Sequence, residues 1–267
     1  MSGAELVFLG TGHAHVTACF NTCFAYLDGS GSCFLTDAGG GNQILTNLKK
    51  ADIDIGNIET LFVSHTHTDH ILGAVWVIRL FASGRIHGEI SGRLTVYGNK
   101  DVIGGLNTLC SMLIQRPYSD EIGRSIILEE VKDGDVRTVM GREVRFFDAK
   151  SVTAYVFGYE MFYSNERRLV FTGDEPYRLS LEDGPLRDAD WAILEATVPY
   201  VWDEDIAGHA TIKSSSEMAE SAGVKNLILS HTEDRIIKTR KEEYLAEAKK
   251  YYSGNVFVPD DMDRIKL

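Results

Sequence analysis

Few of the 267 residues can form cross-links: the chain has four cysteines, Cys19, Cys23, Cys33 and Cys110. Their spacings match neither a Cys-x-x-Cys metal knuckle nor a secreted disulfide framework, so they read as reduced thiols. Basic residues are also in short supply, 27 Lys and Arg against 39 Asp and Glu, for a net charge of -12. That balance opposes a chain built to grip a long nucleic acid by its phosphates. No apolar run is long enough to span a bilayer, and the opening MSGAELVFLGTG lacks the basic start and apolar stretch of a leader. A soluble, cytoplasmic protein with no membrane contact is expected. Internal repeats, low-complexity tracts and proline-rich linkers are absent too. With 44% hydrophobic content there is enough for a sizeable core, and one domain over 1–267 is expected.

Short β-branched or aromatic runs bounded by Gly, Asn, Asp or Ser predict strands at 4–9, 21–27, 33–37, 60–64, 94–97, 125–131, 143–148, 154–160, 168–172, 191–195, 226–230 and 255–258. Helical periodicity predicts helices near 42–50, 70–82, 100–115, 213–222 and 239–251. Clustered strands with helices interspersed, rather than strictly alternating, predict a mixed-sheet sandwich covered by helices.

Between a strand-like and a helix-like run lies FVSHTHTDHILGAV, which crowds His65, His67, Asp69 and His70 into six positions. Side chains alternate along an extended segment, so His65, His67 and Asp69 can point the same way, and His70 then opens the helix. The pattern suits two cations side by side, one taking the first histidine pair and the other Asp69 with His70. Two metals roughly 3.5–4 Å apart stabilise both the attacking and the leaving oxygen of a displacement. Imidazole and carboxylate without thiolate fit zinc, and equally manganese, iron or nickel. The plainer alternative is a solvent-exposed, helix-capping turn.

HTHTDH resembles the signature of the metallo-β-lactamase fold superfamily, and other landmarks follow in that family's order over almost the whole chain. FLGTG (8–12) resembles its opening strand and loop, and LTDAGGG (35–41) the strand ending in a buried aspartate, here Asp37, that buttresses the metal loop. FTGDEP (171–176) resembles the segment whose aspartate bridges two metals, which implicates Asp174. LILSHTEDR (227–235) resembles the last ligand segment and implicates His231. The implied fold is α+β, a four-layer αβ/βα sandwich of two mixed β-sheets. ILEATVPY (193–200) and the loop opening GHAT at 208 resemble the ribonuclease Z and phosphodiesterase branch. There a glutamate and a histidine cooperate, here Glu195 and His209, and the assembly is a homodimer. A carboxylate bonded to one imidazole nitrogen fixes the tautomer and raises the basicity of the other. His209 is otherwise a turn residue before the 213–222 helix.

Two departures stand out. The branch takes another first-site histidine from the stretch FFDAKSVTAYVFGYEM (146–161), where the aligned position holds Lys150 and no histidine occurs from 88 to 208. His65 and His67 then stand alone unless Asp148 or Asp174 substitutes. The Lys150 ammonium would stand beside the phosphate in place of a cation, or lose its proton if desolvated; otherwise Lys150 is an ordinary exposed residue. One or two zinc ions per chain are expected. Long-form ribonuclease Z proteins also carry a transfer-RNA-clamping arm, but EMFYSNERRLVFTGDE leaves only a short connector.

The expected activity is therefore a metal-dependent phosphodiesterase using metal-activated hydroxide on a small phosphodiester, another small anionic substrate or a nucleic-acid end. Metal ligands would be His65, His67, Asp69, His70, Asp174 and His231, with Asp69, Glu195, His209 and Lys150 in catalysis. Ribonuclease Z activity on transfer-RNA precursors, lactone, ester or thioester hydrolysis, and a non-catalytic binding module are the alternatives. GTGHAH (10–15) places His13 and His15 in a loop where either one contacts the ligand or both are ordinary loop residues, His87 reads as a loop residue, and Trp202 as part of a substrate or dimer wall.

Overall fold

A computed structural model of the chain describes residues 3–164, 166–199, 202 and 208–267. In chain order its elements are β1 (Glu5–Gly10), β2 (Cys23–Leu27), β3 (Cys33–Thr36), α1 (Gln43–Lys50), β4 (Ile58–Phe62), α2 (Thr68–His87), β5 (Leu94–Gly98), α3 (Lys100–Leu113) and β6 (Ile126–Glu130). There follow β7 (Val136–Val139), β8 (Arg142–Asp148), β9 (Phe157–Ser164), β10 (Arg167–Phe171), β11 (Trp191–Glu195), α4 (Ile212–Ser221), β12 (Asn226–Ser230), α5 (Arg240–Ala248), β13 (Asn255–Phe257) and β14 (Arg264–Lys266). The chain divides into two compact units. One takes the segments up to Gly10, Phe20–Lys132 and Asp261–Leu267; the other takes Thr11–Cys19 and Asp133–Asp260.

The first unit holds a seven-stranded sheet in the order β14-β1-β2-β3-β4-β5-β6. It is antiparallel from β14 to β3 and parallel from β3 to β6. Its core joins Val7, Leu9, Leu35, Leu61 and Val96 of the strands to Ile44 and Leu48 of α1, Val77, Ile78 and Phe81 of α2, and Leu106 of α3. Each such side chain, fully buried, stabilises the fold by about 1.5–3 kcal/mol before chain entropy is counted. Asn99 caps α3 by accepting from the Asp101 and Val102 N–H groups. Helix α2 runs past its predicted end and takes in His87, where the sequence predicts a loop. It stops at Gly88, whose φ of 75° suits glycine.

The second unit holds another seven-stranded sheet, ordered β13-β12-β11-β10-β9-β8-β7, parallel from β13 to β10 and antiparallel from β10 to β7. β11 is buried at all five residues, WAILE, as a central parallel strand should be. Ala192, Leu194, Leu227 and Leu229 pack with Ile212 and Ala219 of α4 and with Tyr244 and Ala248 of α5. Thr211 and Ser214 form a reciprocal capping box at the start of α4. β9 and β10 pair directly, Arg167 opposite Ser164, so the short connector expected there is present. Among the described residues no helix is long and apolar enough to cross a membrane.

Candidate functional site

The polar residues singled out in the sequence follow the carboxyl ends of parallel strands. In the first unit Asp37 comes directly after β3, and Ser64 and His65 come shortly after β4. Asp37 is fully buried with φ 53°, and its carboxylate accepts from the Ser64 N–H at 2.8 Å and from the Ser64 hydroxyl at 2.9 and 3.0 Å. His70 Nδ1 lies 2.8 Å from Asp37 Oδ2, and His70 Nε2 lies 3.2 Å from Asp69 Oδ2. The Ser64 hydroxyl contacts His65 Nδ1 at 2.9 Å. The His65 ring stands 4.4 Å from that of His67 and 4.2 Å from that of His70, centroid to centroid. His65, Asp69 and His70 are buried, which removes the exposed-turn alternative for these three; His67, the N-cap of α2, is exposed.

In the second unit Asp174 follows β10, Glu195 ends β11 and His231 follows β12. His231 also has a positive φ, 55°. A non-glycine residue held there costs about 1–3 kcal/mol, so the rest of the fold must hold it in place. Asp174, Glu195, His209 and His231 each offer a donor atom within 4.8 Å of the others. His231 Nε2 is 2.8 Å from Asp174 Oδ2, and the His231 and His209 rings stack at 5.1 Å. His209 Nδ1 is 2.7 Å from Glu195 Oε2, while Glu195 Oε1 accepts the Ala210 N–H at 2.7 Å. Burial raises the Glu195 pKa, with Asp174 adding to it and the His209 hydrogen bond opposing it. At His209 burial lowers the pKa, but the hydrogen bond and charge of Glu195 outweigh it and the net direction is upward.

The chemistry of these donors fits a borderline divalent metal. The imidazoles and carboxylates are mostly buried, and a hydroxyl or carboxylate on Nδ1 of His65, His70 and His209 turns each Nε2 outward from that bond. Residues that could hold an ion are thus Asp69 and His70 in one unit and Asp174 and His231 in the other. Among the described residues, His65 and His67 belong to no group of three or more donors.

The family model of the Anti-Pycsar protein Apyc1 matches residues 4–244. The chain belongs to that family. This Apyc1-family chain is also 24% identical to ribonuclease Z of Archaeoglobus fulgidus, over 97% of its own length and 96% of that protein's. Its fold is that of the metallo-β-lactamase fold protein YhfI from Bacillus subtilis, with TM-score 0.81, 18% identity and full coverage of both chains. The short form of human tRNase Z superposes with TM-score 0.72 and 18% identity over 98% of each chain. The resemblance to the metallo-β-lactamase superfamily and its ribonuclease Z-like branch therefore holds.

Lys150 of this Apyc1-family chain sits in the turn after β8, with φ 57° and half of its side chain exposed. Its ammonium pairs with Asp148 at 2.8 Å and Asp133 at 3.5 Å, and the hydrogen bond it donates to Asp148 raises its pKa. The desolvated, deprotonated lysine considered from the sequence is corrected on this point: water and two carboxylates keep it charged. His13 Nε2 approaches Glu233 Oε2 at 3.5 Å with its ring 6.0 Å from that of His231, whereas His15 is exposed. Trp202 lies under the Arg235 guanidinium at 4.5 Å. Residues 200–201 and 203–207 of its loop lie outside the described residues. The sequence reading missed Ser64, Thr197 and Glu175. All three sit inside the quoted motifs, Ser64 one residue before His65, Thr197 two after Glu195 and Glu175 one after Asp174; at the first two a hydroxyl beside a site residue is a usable signal.

Proposed function

We propose that the chain is a metal-dependent phosphodiesterase acting on a small phosphodiester or another small anionic substrate. The observation that carries this reading is the 2.7 Å contact between His209 Nδ1 and buried Glu195. With Nδ1–H given to Glu195, the proton that matters is on Nε2, and 29% of the His209 side chain is open to solvent. Against the lowering by burial, the hydrogen bond and charge of Glu195 shift its pKa upward, the direction that suits a general acid. His209 then delivers that proton to the departing oxygen, while Glu195 steadies the charge it carries before the transfer.

Asp69, His70, Asp174 and His231 are the proposed ligands, with His65 and His67 able to hold a second ion weakly. Their assignment to one centre rests on the order of the motifs in the sequence. A bound zinc ion would lower the pKa of a water and polarise a phosphoryl oxygen. Zinc is the metal proposed because the set is imidazole and carboxylate; manganese, iron and nickel share that chemistry. Asp37 and Ser64 orient the histidines. No disulfide joins the four cysteines among the described residues, which supports a cytoplasmic setting, and the family resemblance supports a homodimer.

The names of the curated relatives favour a second reading, processing of transfer-RNA precursors. The net charge of -12 and the direct β9–β10 pairing favour the smaller substrate. Hydrolysis of bis(p-nitrophenyl) phosphate by zinc- or manganese-loaded protein, lost in Asp69→Ala, tests the proposal, and no turnover with either metal refutes it. Tight, salt-sensitive binding of folded transfer RNA would move the assignment to the second reading.

A further inference from the structure

The tip of the turn between β8 and β9 gains little from the core. Val152 is 73% exposed, and Thr153 is exposed as well. It is nonetheless tied to a buried carboxylate. Glu175, 3% exposed, accepts through Oε1 from the Ser151 and Thr153 hydroxyls, both at 2.6 Å. The Ser151 hydroxyl in turn accepts the Thr153 and Ala154 N–H groups at 3.1 Å. Burying a carboxylate is costly unless hydrogen bonds compensate, and here Oε1 is compensated by an otherwise exposed turn while the Arg178 guanidinium stands 3.8 Å from Oε2. Lys150 points outward to Asp148 and Asp133, and the next residue, Ser151, turns inward to Glu175.

Thr153 has a second side. A Cβ built on Gly208 would come within 3.0 Å of the Thr153 Cγ2 methyl, and Gly208 has φ 99°. Gly208 directly precedes His209. One threonine thus bonds Glu175 with its hydroxyl and, with its methyl, fills the space a side chain on Gly208 would need. We propose that Glu175 is a positioning residue for His209, acting through Thr153 and Gly208, and that this clamp occupies the turn where the branch's extra histidine would stand. The inference rests on the phosphodiesterase reading for its effect on rate, but not for its effect on structure.

Thr153→Val, at an exposed position, removes the hydroxyl and keeps the methyl. With bis(p-nitrophenyl) phosphate and metal-loaded protein, it and Glu175→Ala should lower kcat by about tenfold or more with KM and bound metal little changed, as small misplacements do. Glu175→Gln, whose carbonyl can still accept both hydroxyls, should recover most of the loss. Hydrogen–deuterium exchange of residues 208–212 should rise in Thr153→Val and Glu175→Ala, and stay near wild type in Glu175→Gln. Wild-type exchange in Thr153→Val, or equal loss of kcat and bound metal, overturns the proposal. If the wild-type protein turns over no phosphodiester, the phosphodiesterase reading fails, and the exchange of 208–212 alone decides the clamp.

Discussion

His70 Nδ1 lies 2.8 Å from Oδ2 of the fully buried Asp37, a carboxylate that also takes the backbone N–H and the hydroxyl of Ser64. Asp37 thus fixes the first turn of α2 and, through Ser64, the approach to His65. Asp37→Asn keeps a residue type that tolerates the φ of 53° but loses the charge and one acceptor. Zinc affinity should fall by about 10–100-fold, the usual effect of removing such a partner. Chelator competition measures it, and unchanged affinity would detach Asp37 from the metal.

His209→Ala removes the proposed proton donor while leaving the proposed ligands in place. Turnover of a poorly activated phosphodiester should fall by about 10²–10⁴-fold. Bound metal by elemental analysis should stay near wild type. Parallel loss of both would make His209 structural.

Lys150→Ala should change turnover little, within about twofold, and stability by less than about 1 kcal/mol, because an exposed ion pair is worth little. Half of the Lys150 side chain is in solvent beside Asp148 and Asp133. A hundredfold loss of kcat would return Lys150 to the reaction.

The sequence made much of this legible because local chemistry and fold agree over short stretches. β11 and β12 fall where the apolar runs of WAILE and NLILS put them, since central parallel strands need no alternation. β7 and β14 escaped: VRTV and RIK are short edge strands, half polar, whose place is set by pairing with β8 and β1. Glu195 and His209 were readable from motif resemblance. For Lys150 the alignment gives a position along the chain and not a direction, and at φ 57° the turn sends the side chain to Asp148. Glu175 stands inside the quoted FTGDEP, but its role is not legible there because its partners, Ser151 and Thr153, are more than twenty residues away.

Alkaline pH should weaken the fold through Cys33. The thiol is buried, and desolvation pushes its pKa from 9.0 up to about 12, with Cys110 pushed to about 11. Between those values only the unfolded chain gives up the proton, so stability is whole below about pH 9 and falls as pH rises toward 12. Urea unfolding at pH 8 and pH 10 checks this. Cys33→Ala should start less stable at pH 8, from the smaller side chain, yet lose about 1 kcal/mol less than wild type by pH 10. Equal losses would mean that the Cys33 thiol is not the titrating group.

Gly73 tests whether the seating of α2 is what makes the first donor set. Its N–H donates to the Gly39 carbonyl at 2.8 Å, and the Ala38 N–H donates to the His70 carbonyl at 3.2 Å, so the helix start and the loop after β3 are laced together. A Cβ at Gly73 would sit 1.8 Å from the Ala38 carbonyl oxygen and 2.6 Å from its carbon. Those are backbone atoms in a loop that also carries Asp37, so relief requires α2 or that loop to move. Either movement separates Asp37 from His70. Gly73→Ala should therefore destabilise the protein by about 1–3 kcal/mol, as overpacking does, even though alanine is the better helix former. The fraction that stays folded should also bind zinc more weakly. Denaturant unfolding and chelator competition on one preparation separate the two effects. Loss of stability with normal zinc affinity would show that the His70–Asp37 bond survives a shift of α2, and full stability would show that the close approach of α2 to Ala38 does not exist.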